Sequence, residues 1–449
     1  MAGTSATTLG WLGIIRLGLV QTALGAIVVL TTSTLNRVMV VELALPAMLP
    51  GVLVGVHYAV QMARPRFGHG SDVGGMRTRW IIGGMALLAF SGSLAAAATA
   101  LVAINQAAGI ALNFLAFLLI GAGVGAAGTS LLALLASRVA PERRAAAATI
   151  VWLMMIFGMA ATAGIAGSLL DPFSTMRLVA VSSSVSGLAL LLTIVAVWGV
   201  EARFAETTTE PRSGSTDFRA ALAEVWADDR ARRFSIFVFI SMLAYSGQDL
   251  VLEPYAGHVF GLTPGESTSL AGIQHGGVFA GMVLVAITST TLRIVRAVPL
   301  QWWAVGGCAV SALALLGLVA GGYVGPGWPL KANVVLLGVA NGAFAVAAIG
   351  SMMALAGSAG PRKEGIRMGV WGAAQAIAFG LGGFLGTAAV DVTRYFTGSP
   401  LQAYVLVFAA EAILFIWSAK LAAGIVGVRC PVAAGEARNL SSSNPEPVS

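Results

Sequence analysis

Arginine in this chain clusters at the breaks between long apolar runs, and that spacing restricts the fold to one that threads a membrane many times. Windows of about 20 residues, the length that crosses a ~30 Å hydrocarbon layer, place twelve spans. They fall near 14–35, 46–63, 80–103, 110–136, 145–169, 177–199, 234–254, 268–288, 298–321, 332–356, 367–390 and 402–424. An even number of spans leaves both termini on one side. Of the 26 basic residues, 22 fall on that side, while Arg37, Arg177, Lys331 and Arg394 fall on the other. Cytoplasmic loops carry the excess of Lys and Arg, so both termini are expected in the cytoplasm.

Only 10% of residues are charged against 57% hydrophobic, which excludes a pair of ordinary soluble domains. The net charge of +7 then belongs to loops that face anionic lipid, and no basic soluble domain exists to bind nucleic acid. The first 20 residues lack an early basic region and a small-residue cleavage site, so they are read as a retained tail entering the first span. Cys308 and Cys430, one in a span and one in the tail, imply no disulfide framework. Arginine outnumbers lysine 23 to 3, a bias typical of a GC-rich bacterial genome.

The chain reads as two copies of a six-span unit. Pro141-Glu142-Arg143-Arg144 before the fifth span matches Pro361-Arg362-Lys363-Glu364 before the eleventh at an offset of 220. Gly121 and Gly338, and His57 and His275, repeat at 217 and 218. This predicts an N-terminal half over 1–200, a cytoplasmic linker over 201–231, a C-terminal half over 232–428 and a disordered tail over 429–449.

The loop after the second span, Gly68-His69-Gly70-Ser71-Asp72-Val73-Gly74-Gly75-Met76-Arg77, resembles the loop motif of the major facilitator superfamily. The resemblance implies an all-α fold of twelve helices in two pseudo-symmetric halves. It also implies a conformational latch formed by Gly68, Asp72, Gly75 and Arg77, although Val73 replaces the family's usual basic residue beside the Asp.

Longer stretches resemble the PucC/LhaA family of phototrophic bacteria. They are Leu35-Asn36-Arg37-Val38-Met39-Val40-Val41-Glu42-Leu43, His57-Tyr58-Ala59-Val60-Gln61, Gln248-Asp249-Leu250-Val251-Leu252-Glu253-Pro254-Tyr255, and the run from Arg362 to Ala376. The resemblance implies a protein of the bacterial inner or intracytoplasmic membrane that assists assembly of light-harvesting complexes. It would handle bacteriochlorophyll, the antenna polypeptides or both, alongside pigment-synthesis enzymes and insertion machinery.

Bacteriochlorophyll magnesium has four ring nitrogens and takes one axial ligand, most simply a neutral imidazole. His57 and His275 are candidates, both near mid-membrane and flanked by small residues such as Gly51, Gly55, Gly272 and Gly276. Each can equally be a histidine that ties helices together. His69 and His258, in a loop and near a span end, are poorer candidates. Gln21, Gln274, Asn341 and Gln375 can hydrogen-bond to keto or acetyl groups of the pigment, or to neighbouring helices.

Carboxylates within spans are costly, about 2.5–3.5 kcal/mol at the bilayer centre. Asp249 and Glu253, four apart on one helix face, and Glu411 are therefore candidates for a proton or polar site. The competing reading has Glu253 capping a helix that ends at Pro254, with the acids paired to Arg37 or Arg394. Glu42 is interfacial and structural, and the tryptophans, Trp371 among them, fit an interfacial belt. The sequence contains no P-loop, HExxH or nucleophile elbow, so an enzyme is not expected. A proton-coupled secondary transporter of a small amphipathic solute is the alternative function. A transporter needs two aqueous openings, whereas a pigment chaperone needs a groove facing lipid.

Overall fold

A computed structural model describes residues 9–64, 66–67, 76–140, 143–200, 223, 226–291, 300–357 and 361–424. The expected linker lies largely, and the tail wholly, outside them, as do Gly68, Asp72 and Gly75 of the loop motif. The described residues form twelve membrane helices. They are α1 (Trp11–Glu42), α2 (Met48–Gln61), α3 (Arg77–Val102), α4 (Gln106–Arg138), α5 (Arg144–Leu170) and α6 (Thr175–Val197). The second six are α7 (Asp229–Phe260), α8 (Pro264–Thr291), α9 (Leu300–Val324), α10 (Leu330–Gly357), α11 (Pro361–Thr397) and α12 (Pro400–Ala423). Eleven are long and apolar enough to cross a membrane, and α2, with 14 residues, is shorter.

The packing order repeats between halves. In the first, α1 packs on α5 and α6, α3 on α4 and α6, and α2 on α4; in the second, α7 packs on α11 and α12, α9 on α10 and α12, and α8 on α10. Each set surrounds its own apolar core. The halves meet along two equivalent seams, α2 with α11 and α5 with α8. The seams even share their fitting. A first side-chain carbon at Gly51 of α2 would collide with Thr387 Oγ1 of α11, and one at Gly167 of α5 would collide with Ser269 Oγ of α8. A hydroxyl thus nests on a glycine in both seams, with the two roles exchanged between the helices of the pair. Such close approach is what small residues permit where lipid offers helices no hydrophobic drive to associate.

Pro254 does not end α7, which continues to Phe260. Proline lacks the N–H that would bond to the carbonyl four residues back, here that of Leu250. Asn36 Nδ2 of α1 donates to that oxygen at 2.7 Å, so the helix proceeds with its freed acceptor satisfied across the two halves. Replacing Asn36 with Leu is expected to cost about 1–3 kcal/mol, the penalty for an orphaned buried polar group, read as a lower thermal midpoint in detergent. An unchanged midpoint would mean that another group satisfies Leu250. Trp371 also departs from the belt reading. It is fully buried and its indole donates to Ser235 Oγ at 2.9 Å, tying α11 to α7.

One membrane face of the molecule is closed by contacts between halves. Asp391, near the end of α11, accepts from the backbone N–H groups of Ala47 and Met48 at 2.9 and 2.7 Å, where α2 begins. Asp171, just after α5, accepts from Thr263 Oγ1 and from the Gly265 N–H at 2.6 and 3.2 Å, where α8 begins. Each carboxylate meets the positive end of a helix that belongs to the other half. On the same face Arg37 donates to the Leu262 carbonyl at 2.7 Å, and the Thr34 and Thr268 hydroxyls are 3.1 Å apart. In its outer part α1 runs through two π-helical turns, Leu30–Thr34 and Val38–Glu42, which turn Asn36 and Arg37 toward α7 and the loop after it.

Candidate functional site

The residues that converge lie on α7 and α8 at the boundary between the halves. Asp249, partly buried on α7, accepts from Gln274 Nε2 of α8 at 3.4 Å and lies within electrostatic range of His275. The His275 ring is fixed by a 2.9 Å contact between Nδ1 and the Ala271 carbonyl. A carbonyl can only accept, so Nδ1 carries a proton, and in the neutral ring Nε2 is the nitrogen that presents a lone pair. That nitrogen is buried and has no partner among the described residues. Beside it, a side-chain carbon at Gly276 would meet nothing within 4 Å.

His57 is placed differently. Arg64 donates to Gln61 Oε1, which turns the amide nitrogen of Gln61 toward His57 Nε2 at 2.8 Å. An amide nitrogen only donates, so the His57 lone pair is already used and its protonated Nδ1 is the atom left without a partner. The two histidines, equivalent by repeat, therefore differ in chemistry: one has a free acceptor and the other does not. Not all the glycines around His57 are filled: a side-chain carbon at Gly55 would meet only the Gly380 carbonyl oxygen, at 3.9 Å. Gly51 is covered by Thr387, and Gly121 of α4 packs on the His57 backbone. Most of the small residues flanking His275 are filled in the same way, Gly272 against Gly164 and Gly277 against α10.

A feature that the sequence reading passed over is a row of rings from four helices. Tyr58 of α2 lies 5.5 Å from Phe379 of α11, Phe379 lies 5.8 Å from Tyr245 of α7, and Tyr245 lies 6.3 Å from Phe344 of α10. Tyr58 and Tyr245 are both within electrostatic range of Asp249. The signal was their position well inside spans, where an interfacial belt does not explain them.

The remaining candidates separate. Glu411 of α12 is buried against Gly247 of α7, within electrostatic range of Asp249, and neither carboxylate oxygen has a partner among the described residues. Glu253 is buried beside the Ser33 and Ser267 hydroxyls and makes no ion pair among the described residues, since Arg37 reaches Glu42 instead at 2.6 Å. Asn341 accepts from Ser311 of α9 at 2.8 Å, Gln21 faces Met155 of α5, and Gln375 faces Met242 of α7, so these three lie against helices of their own halves. Arg77 donates to the Ala133 carbonyl at 2.8 Å and to the Ser137 hydroxyl, tying α3 to α4. His258 stacks on Tyr404 and bonds to its hydroxyl at 2.7 Å. Among the described residues no group of three or more His, Cys, Asp or Glu could hold a free metal ion.

Residues 34–429 match the family model described as PUCC protein. The chain belongs to this family. A relative from Rhodobacter capsulatus, named bacteriochlorophyll synthase 44.5 kDa chain, is 54% identical across 94% of this chain and 97% of its own. Protein PucC of the same organism is 29% identical across 90% of each. Among solved structures, a bacterial homologue of the lysosomal transporter Spinster, inward-facing and occupied, aligns with a TM-score of 0.65 at 16% identity, covering 97% of this chain and 98% of that one. The peptide transporter POT, in a mutant form, aligns at 0.67 and 14% over 94% and 97%. At such identities these two establish the facilitator fold and nothing about cargo. PUCC membership agrees with the PucC/LhaA resemblance read from the motifs.

Proposed function

We propose that this PUCC-family chain is an assembly factor for bacterial light-harvesting complexes that binds bacteriochlorophyll within the membrane and passes it toward antenna polypeptides. The observation that carries the reading is the idle Nε2 of His275, a buried ring nitrogen whose ring is held through Nδ1 by the Ala271 carbonyl and which has no partner among the described residues. Such a nitrogen would hold the magnesium of a bound pigment, which would supply a Lewis-acidic centre, whereas a free ion would require several oxygen ligands. Fixing a ligating imidazole through its other nitrogen is a general device for orienting it toward a metal. Asp249 and Gln274 would then orient the polar edge of the ring system, with Asn341 and Gln375 as further donors nearer the flanks, and His57 would brace α2 through Gln61.

The name of the 54% identical relative supports a place near pigment synthesis. In this reading the chain binds and positions pigment, and it catalyses no reaction of its own. The concentration of basic residues supports a cytoplasmic-membrane protein with both termini in the cytoplasm, two six-helix halves over 1–200 and 232–428, and a linker between them. The loop bearing Gly68, Asp72 and Gly75 would latch the cytoplasmic side together with Arg77.

The test is the absorption spectrum, with pigment extraction, of the chain purified in mild detergent from a pigment-producing phototroph. Near-stoichiometric bacteriochlorophyll is expected. A colourless, folded preparation would overturn the pigment reading in favour of a proton-coupled transporter. The buried Glu411 carboxylate, without a partner among the described residues, supports that second reading, since an acid inside the membrane is costly unless paired, cavity-facing or protonated.

A further inference from the structure

The lipid-facing side of the α3–α4 pair carries a groove of about 370 Å³, separate from the residues at the boundary between halves. Gly83 and Leu87 of α3 and Ala122 and Ala126 of α4 wall it, Phe67 and Trp80 flank it, and Arg79 lines its mouth. Arg79, Gly83 and Leu87 follow at steps of four, so they form one stripe along the helix, about 12 Å long at 1.5 Å per residue. Gly83 leaves the wall open, since a side-chain carbon there would meet nothing within 4 Å.

The two arginines at this end of α3 have different fates. Arg77 is spent on Ala133 and Ser137. Arg79 is exposed and has no hydrogen-bond or ion-pair partner among the described residues. An apolar slot opening to hydrocarbon, with an unneutralised cation at the membrane surface, matches an amphiphile with a long chain and an anionic head. A stretch of partner helix about 12 Å long and about 10 Å across would fill roughly 900 Å³, well above the 370 Å³ of the groove.

We propose that this groove holds one hydrocarbon chain of an anionic phospholipid, with the headgroup phosphate on Arg79. A zwitterionic lipid carries the same phosphate, but its headgroup ammonium cancels the net negative charge that Arg79 would otherwise meet. A single basic residue at an anionic surface accounts for roughly a fivefold preference.

The test uses the full chain in detergent, incubated separately with phosphatidylglycerol and with phosphatidylcholine of the same acyl chains, and counts retained lipid by native mass spectrometry. Retention of one phosphatidylglycerol in preference to phosphatidylcholine is expected. Arg79→Gln should erase the preference, roughly fivefold, and Gly83→Leu should remove retention of both lipids by filling the slot. The Arg79 side chain has no polar partner among the described residues and a side-chain carbon at Gly83 would meet nothing within 4 Å, so both variants should elute like the parent. Equal retention of the two lipids by the parent chain, or retention unchanged in Gly83→Leu, would overturn the proposal.

Discussion

Replacing His275 with Leu is expected to strip bacteriochlorophyll from the purified chain, while His57→Leu keeps most of it. Each 1.4 kcal/mol of lost binding is tenfold in affinity, so losing a metal–imidazole bond worth even about 3 kcal/mol would weaken pigment binding roughly a hundredfold. The stability of the two variants should move in the opposite sense. His275 Nε2 makes no bond among the described residues, so an apolar side chain of similar size removes an unsatisfied buried nitrogen and should be neutral or mildly stabilising. His57 accepts from Gln61, which would be orphaned by Leu, so His57→Leu should unfold at lower temperature with its pigment still bound. Extracted pigment per protein, measured beside the thermal midpoint, separates the cases. Pigment lost from His57→Leu and kept by His275→Leu would reverse the assignment, and pigment kept by both would end it.

The contrast between these histidines shows what the sequence could and could not convey. Helix positions were legible because a ~30 Å apolar layer imposes a length on every crossing segment, and the duplication was legible because packing preserves spacing: the offset of 220 between Pro141 and Pro361 recurs between Asp171 and Asp391. Those two aspartates were nevertheless passed over, because a carboxylate near a loop looks like a solvated one until the helix start it faces is known. The site was legible only as a set of costly residue types. That the free nitrogen is Nε2 in His275 and Nδ1 in His57 depends on Ala271, Gln61 and Arg64, and on the direction of an amide, none of which periodicity encodes. Pro254 misled for a related reason: the donor that lets α7 continue, Asn36, is 214 residues away in sequence.

Removing both Asp171 and Asp391 is expected to open the closed face of the molecule. A hydrogen bond to a charged group contributes about 1.5–3 kcal/mol, and a favourable charge at a helix N-terminus adds about 0.3–1 kcal/mol. Two such carboxylates, each meeting the start of a helix from the opposite half, thus hold the closed arrangement by several kcal/mol. About 5.5 kcal/mol carries a two-state equilibrium from 1:99 to 99:1, so the double change is large enough to invert the population, whereas a single change should shift it part-way. Thr34 reports on this, because it is 1% exposed and its hydroxyl faces Thr268 across the boundary. With Cys308 and Cys430 replaced by Ser, a Thr34→Cys chain should resist a membrane-impermeant maleimide, and Asp171→Ala with Asp391→Ala should make it label readily. Asp→Asn at both positions should give intermediate labelling, since the amide oxygen still accepts one bond but the charge is gone. If labelling stays as low in the double Ala variant as in the parent, the closure rests on the seams of α2 with α11 and α5 with α8, where Thr387 and Ser269 nest on glycine, and the aspartates only cap helices that packing already holds.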